Sequence, residues 1–359
     1  MLAYDKGGPD STALQHAEAA AFGGVCVLHK PHVHGPHHDI QRRYQRFFDE
    51  HEEWYQGYES AAQVGLLFLW EQVHFNNQAH LEAAYEIHEM LGRRQIPFDL
   101  VIEENLDRSR LSRYKVLVAP GVRYLSDSQL QVLRDYVEEG GRLILIMPFA
   151  DFDLAARPRH ELPEPFNSTQ KDKADRANGG VLILESLSEA LPDPGIPFEK
   201  ALQAAQGGDL RNAFPSDKVG EAAFYLELDR RFGLKRHQSR NPVIEEIHKA
   251  FQGPASILDP EQGEDIRAAL YRHPDRGDLV LHLINYRVPM QGRKRGRCLR
   301  PQENLVVTVS LPAHDQPPLV RTASPGGPDI EIQNVNLQGE TLTITLPILR
   351  DYALVRIPG

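Results

Sequence analysis

Between residues 64 and 147 short apolar runs alternate with amphipathic stretches, and no other feature of the chain restricts its fold as much. VGLLFLW (64–70), FDLVIE (98–103), YKVLVA (114–119) and LILIM (143–147) are apolar runs of strand length. Continuous rather than alternating hydrophobicity marks strands covered on both faces, the pattern of a parallel sheet. The spacing of Leu81, Ala84, Ile87 and Leu91 predicts a helix over 77–94. Ser126, with Gln129 three residues on, forms a capping box before a second helix, whose buried face is Leu130, Leu133 and Val137. Gly140-Gly141 ends that helix with a left-handed cap. The order strand, helix, strand, strand, helix, strand predicts a flavodoxin-like α/β domain with right-handed crossovers. VLIL (181–184) adds a strand, and helical stretches at 201–205 and 242–251 extend the domain to about residue 262. The polar, Pro-rich stretch 156–179 is read as an excursion from it.

Residues 1–60 do not make a domain of their own. They read as a helix over 11–21, a strand over 23–28 (GGVCVL), a His-rich loop and a helix over 38–58. The last carries Ile40, Tyr44, Phe47, Phe48, His51, Tyr55 and Tyr58 at a period near 3.6, a packing face rather than a stacking platform. One strand between two helices cannot close a sheet, so this unit must dock on the rest of the chain or on another chain. After residue 263 the period changes to two. Leu305, Val307, Val309 and Leu311 alternate with polar or smaller neighbours, and Leu342, Ile344 and Leu346 alternate with Thr341, Thr343 and Thr345. Apolar runs at 279–284 and 352–357 complete the pattern of a C-terminal antiparallel β-sandwich over 263–359.

Composition narrows the partners. Forty Lys and Arg against 50 Asp and Glu leave a net charge of −10, unsuited to a chain built to neutralise phosphates. The basic run Arg293-Lys294-Arg295-Gly296-Arg297, with Arg300, joins two sandwich strands without interleaved aromatics, so it reads as a solvated loop. No nucleic acid is expected. Two cysteines, Cys26 and Cys298, make neither a disulfide framework nor a zinc ribbon, and they point to a reducing compartment. No basic segment followed by an apolar run opens the sequence, and no run approaches the ~18 apolar residues of a membrane span. The expectation is a soluble, cytoplasmic protein. No P-loop, GxGxxG or HExxH pattern occurs.

The runs VGLLFLWEQVHF, RRQIPFDLVIEENL and YKVLVAPGVRYLSDSQLQVLRDYVEEGGRLILI, in this order and spacing, resemble the β-galactosidase trimerisation domain. That domain is the glutamine-amidotransferase-like middle module of glycoside hydrolase family 42. The closing LVLHLINY and YALVRI strands are similar to the family's last module, a small β-sandwich. The resemblance implies a homo-oligomer, by analogy a trimer, in carbohydrate metabolism. It also implies a (β/α)8 barrel ahead of the module, of which residues 1–60 resemble the last strand and helix. Retaining hydrolysis needs two carboxylates about 5 Å apart on earlier barrel strands, and no position here matches either. The chain thus reads as a non-catalytic assembly and accessory portion of a β-galactosidase-like protein. Two alternatives stay open: one subunit of a split glycosidase whose barrel comes from a separately encoded chain, and a carbohydrate-binding module in the sandwich.

Candidate sites are few. His29, His32, His34, His37 and His38 share a loop with Pro31, Gly35 and Pro36. Such a loop is a solvated segment, a sugar-facing remnant at the barrel's C-terminal mouth (His32 and His34), or a weak metal site. No cofactor is expected. Glu71, after Trp70 at the end of the first strand of the α/β domain, lies where doubly wound sheets bind ligands, and is a candidate contact with a sugar or a neighbouring subunit. The turn where an amidotransferase would carry its thiol nucleophile reads Pro120-Gly121-Val122.

Overall fold

The computed structural model describes residues 2–3, 9–26, 36–167, 180–187, 241–251, 255–263, 265–286, 301–311, 316–327 and 330–359. The chain opens with β1 (Leu2–Ala3), α1 (Pro9–Ala21), β2 (Val25–Cys26), α2 (Pro36–Glu50), a 3-10 turn at Glu52–Trp54, and β3 (Glu59–Ser60). β1 and β2 pair in parallel, Leu2 opposite Val25 and Ala3 opposite Cys26. The strand expected over 23–28 therefore is not alone: two residues ahead of α1 supply its neighbour. The helix expected over 38–58 instead starts at Pro36, whose fixed φ suits a first turn. It ends before His51, whose backbone leaves the helical region (φ −122°, ψ 23°).

The central unit runs β4 (Val64–Leu67), α3 (Trp70–His74), α4 (Gln78–Arg93), β5 (Phe98–Val101), α5 (Arg108–Leu111), β6 (Val116–Pro120), α6 (Asp127–Glu138), β7 (Arg142–Ile146), β8 (Gly180–Leu184) and α7 (Pro242–Ala250). All five strands are parallel, in the order β5-β4-β6-β7-β8. Counted within the unit this is the flavodoxin-like order. Side chains alternate across the sheet, so each strand feeds two cores. Leu117, Leu143 and Leu145 meet Leu130, Leu133 and Tyr136 of α6 on one face. Val116, Val118 and Ile144 meet Ile87 and Leu91 of α4 and Val243 and Ile247 of α7 on the other. The Ser126–Gln129 capping box forms, and Gly140, at φ 99°, lets the Gly141 N–H reach Tyr136 O at 2.9 Å. Tyr136 joins Leu130 and Leu133 on the buried face of α6, and Val137 is only partly buried beside them. The run expected as one strand over 64–70 is divided: β4 ends at Leu67, and Leu69 stays extended as the cap of α3.

The last unit comprises α8 (Pro260–Gly263), β9 (Ile266–Arg272), β10 (Leu279–Asn285), β11 (Gln302–Ser310), β12 (Arg321–Ala323), β13 (Asn334–Gln338), β14 (Thr341–Leu349) and β15 (Tyr352–Ile357). Two antiparallel sheets, β12-β15-β10-β9-β3 and β11-β14-β13, pack face to face. β3 comes from the linker after α2 and adds an edge, Glu59 opposite Arg272 and Ser60 opposite Tyr271.

The outer face of the larger sheet is covered as well. Val280, Ile284, Tyr352 and Leu354 pack against Ala13, Ala17 and Ala21 of α1 and Tyr44, Phe47 and Trp54 beside them. The aromatic stripe of α2 is thus a packing face, and the sandwich is what it packs on. Within this layer His282 is buried, its Nδ1 2.7 Å from the Tyr352 hydroxyl; burial pushes it down to about 3, so the ring is neutral. Gln95, buried at φ 47°, joins the central unit to the sandwich by donating to Ile266 O at 3.0 Å, while its own carbonyl accepts from Ile257 N–H at 3.0 Å.

Candidate functional site

The crevice at the carboxyl ends of β4, β5 and β6 is where the strand order reverses, the position at which open parallel sheets gather functional groups. Each strand end contributes a short segment. After β4 the chain turns into α3, placing Trp70 and Glu71 in its first turn. After β5 a 3-10 turn begins at Glu103. After β6 comes Gly121, and Gln129 projects from the first turn of α6.

Glu71 and Glu103 are neighbours in the crevice, and each bears on the other's ionisation. Glu103 Oε1 also accepts the Glu71 backbone N–H at 2.9 Å, and Gln129 Nε2 donates to Glu71 Oε1 at 3.2 Å. Burial, reinforced by the bond to Glu103, pushes Glu71 up to about 7. Glu103 is held below its ordinary value: burial opposes its charge, but hydrogen bonds from the Glu71 carboxyl and from backbone N–H groups outweigh that. Below about pH 7 the pair retains one proton. Trp70 lies alongside, 52% exposed, with the Phe68 ring edge-on at 5.7 Å. An exposed indole beside a protonated carboxyl and a carboxylate can stack on a sugar ring and bond its hydroxyls.

A buried polar layer supports this rim. Gln72 Oε1 accepts from Asn77 Nδ2 at 2.9 Å, Arg123 N–H at 2.9 Å and Tyr124 N–H at 3.1 Å. Asn77 caps α4 and donates to Gly121 O at 2.8 Å. His80, fully buried, donates from Nδ1 to Pro120 O at 2.6 Å; burial lowers its basicity, and Nε2 has no hydrogen-bond partner among the described residues. Gly121 sits at φ 58°, and a Cβ there would lie 3.1 Å from the Ala79 carbonyl and His80 Cα. The turn after β6 is therefore pressed onto the start of α4 and has no space for a nucleophile's side chain.

Of the candidate site residues singled out from sequence, Glu71 stands in this crevice, with Trp70 before it. His29, His32 and His34, like Cys298 and the 293–300 basic run, lie outside the described residues. His37 and His38 are not loop residues but first-turn residues of α2. His37 Nδ1 meets Thr12 Oγ1 at 2.8 Å, tying α2 to α1, and His38 lies 4.0 Å from Asp39. Among the described residues no group of three or more His, Cys, Asp or Glu is placed to hold a metal ion. Nor is any described helix long and apolar enough to cross a membrane. Sequence reasoning missed Glu103, Gln129 and His80. The signal was positional: each lies at or just beyond the carboxyl end of a strand, or in the first turn of the helix that follows.

Residues 69–190 match the family described as GLMA-like, second domain. Among curated proteins nothing matches the chain. Three solved structures share its fold. An α-L-fucosidase isoenzyme 2 from Paenibacillus thiaminolyticus aligns with TM-score 0.57 at 15% identity, over 98% of this chain and 57% of its own. A family 42 β-galactosidase from G. stearothermophilus aligns with TM-score 0.53 at 11% identity, over 99% and 51%. A β-galactosidase from Bacillus circulans sp. alkalophilus aligns with TM-score 0.52 at 11% identity, over 97% and 52%. The chain thus spans about half the length of these enzymes, and at such identities what is shared is the fold.

Proposed function

We propose that the chain is the assembly and accessory portion of a β-galactosidase-like glycoside hydrolase, with residues 61–262 forming the oligomerisation module and 263–359 the sandwich that anchors it. The observation that carries this reading is the flavodoxin-like sheet followed by a sandwich, an arrangement that aligns along nearly its full length with about half of a family 42 β-galactosidase. The non-catalytic part of the reading is supported by the sequence, in which no position matches either of the family's carboxylate motifs. The oligomer contact is assigned to the open edge of the sheet at β5. Leu100 is 48% exposed there, on a strand with no further neighbour among the described residues, and Tyr85 of the adjoining α4 is 65% exposed. Leu100→Asp keeps the fold and shifts the assembly to monomer in sedimentation equilibrium; an unchanged oligomer refutes the assignment of the edge. The rim at Glu71 and Trp70 is assigned to a sugar hydroxyl or a neighbouring copy's loop. Turnover of nitrophenyl glycosides by the pure chain, surviving a contaminant control, would overturn the non-catalytic reading.

A second reading is favoured by β1-α1-β2, a parallel strand–helix–strand unit in which, among the described residues, each strand pairs only with the other. It makes the chain one subunit of a split glycosidase, completed by a chain carrying the remaining barrel strands. Co-purification with such a chain, with hydrolysis regained on mixing, separates it from the first.

A further inference from the structure

α2 carries Arg42, Arg43 and Arg46, and the three line a cavity of about 730 Å³ between this helix and the turn at 324–327. Arg43 is fixed in place. Its Nη2 donates to Asp351, and its stem crosses Gly326, where a Cβ would fall 2.3 Å from Arg43 Cδ. Gly326 sits at φ 72°, so both the backbone and the space require glycine. The Nε of Arg43 is buried and has no acceptor among the described residues. Arg42 and Arg46 are exposed and have no ion-pair partner among the described residues. They stand four residues apart, where like charges destabilise a helix unless an anion lies between them. Asp39 and Glu50 also line the cavity, as does the Phe47 ring, whose centroid lies 4.6 Å from that of His51.

This lining combines guanidinium forks for an oxyanion with carboxylates that accept hydroxyls. The volume is that of a small-molecule site and exceeds what a bare inorganic ion fills. We propose that the cavity binds a small anionic saccharide, a sugar bearing a carboxylate or a sulfate, with the oxyanion between Arg42 and Arg46 and sugar hydroxyls on Asp39 and Glu50. The inference is independent of the assembly reading, because α2 and the sandwich build the cavity without the central sheet.

The test is titration calorimetry of the full chain with galacturonate, galactose 6-sulfate, neutral galactose and inorganic sulfate. Saturable binding is expected for the two acidic sugars, with galactose and inorganic sulfate at least about tenfold weaker, the scale of one charge-assisted hydrogen bond. Arg42→Gln with Arg46→Gln weakens acidic-sugar binding by about tenfold or more and leaves the thermal midpoint unchanged or higher, since a like-charge repulsion is removed. Three results would overturn the proposal: no saturable binding of either acidic sugar, equal affinity for galactose or for sulfate alone, or undiminished binding by a double variant that melts like the wild type.

Discussion

Removing the Phe47 ring tests whether α2 is an integral layer of this fold. Phe47 is 3% exposed and packs in the layer between α2 and the outer face of the sandwich. Its ring meets Tyr352 edge-on, 6.0 Å between centroids at 84°. Burial of an aromatic side chain of this size contributes about 2–3 kcal/mol, and the edge-on pair adds about 0.5–1.5 kcal/mol. Tyr44 and Tyr352 are fully buried around it and have little freedom to collapse into the void. Phe47→Ala should therefore cost about 3–4 kcal/mol. The chain has two tryptophans, and they differ usefully: Trp54 is 6% exposed beneath the same layer, whereas Trp70 is 52% exposed. In a Trp70→Phe background, fluorescence reports the layer alone. Urea denaturation followed by Trp54 emission should show a lower midpoint at an unchanged slope. A loss below about 1 kcal/mol, with Trp54 emission unmoved, would refute the packing argument, because a large-to-small change in a closed core cannot be that cheap.

Two further perturbations probe the central unit. Arg142 on β7 and Glu246 on α7 form an ion pair with side chains 11% and 5% exposed; Glu246→Gln removes the carboxylate's charge from beside the guanidinium and should cost about 3 kcal/mol, while Arg142→Met with Glu246→Leu recovers most of it in the same denaturation assay. Glu71, at about 7 in the folded chain against an ordinary 4.5, binds more protons folded than unfolded between those values, so its contribution to stability falls as pH rises from about 4.5 to about 7 and is level above. Glu103, shifted down, works the other way below 4.5. Glu71→Gln, a neutral isostere, should match the wild type near pH 5 and exceed its melting midpoint at pH 8. The difference between the two proteins is the readout, since His80 and His282, both held neutral by burial, tilt both curves alike. Parallel midpoints from pH 5 to 8 would contradict a shared proton.

The parallel sheet was legible because β4, β6 and β7 are buried at every position, which leaves an uninterrupted apolar signal. The sandwich was legible from period two, as in β14, where Leu342, Ile344 and Leu346 face the core between threonines. β10 carried a clue that went unused: LVLHLIN is buried throughout, which an antiparallel strand with one wet face does not show. Both faces are covered because α1 and α2 lie on the second one. That contact joins residues some 300 positions apart, as in the bond between Arg43 and Asp351, and no local pattern encodes such a distance. The same holds for the crevice. Glu71 was found from its place at a strand end, whereas Glu103 and Gln129 become its partners only once β5 lies beside β4 and α6 closes over the strand ends. His37 and His38 were misplaced because a Pro-Gly-Pro neighbourhood suggests a loop, yet Pro36 is itself a good first-turn residue.

Assembly of the protein through its α/β unit is the step on which the proposed function depends. Its most direct test is the mass of the pure chain by sedimentation equilibrium across micromolar concentrations. A trimer, three times the 40.5 kDa chain, is the predicted result. A monomer over that range, with the circular dichroism of a folded α/β protein, would contradict it.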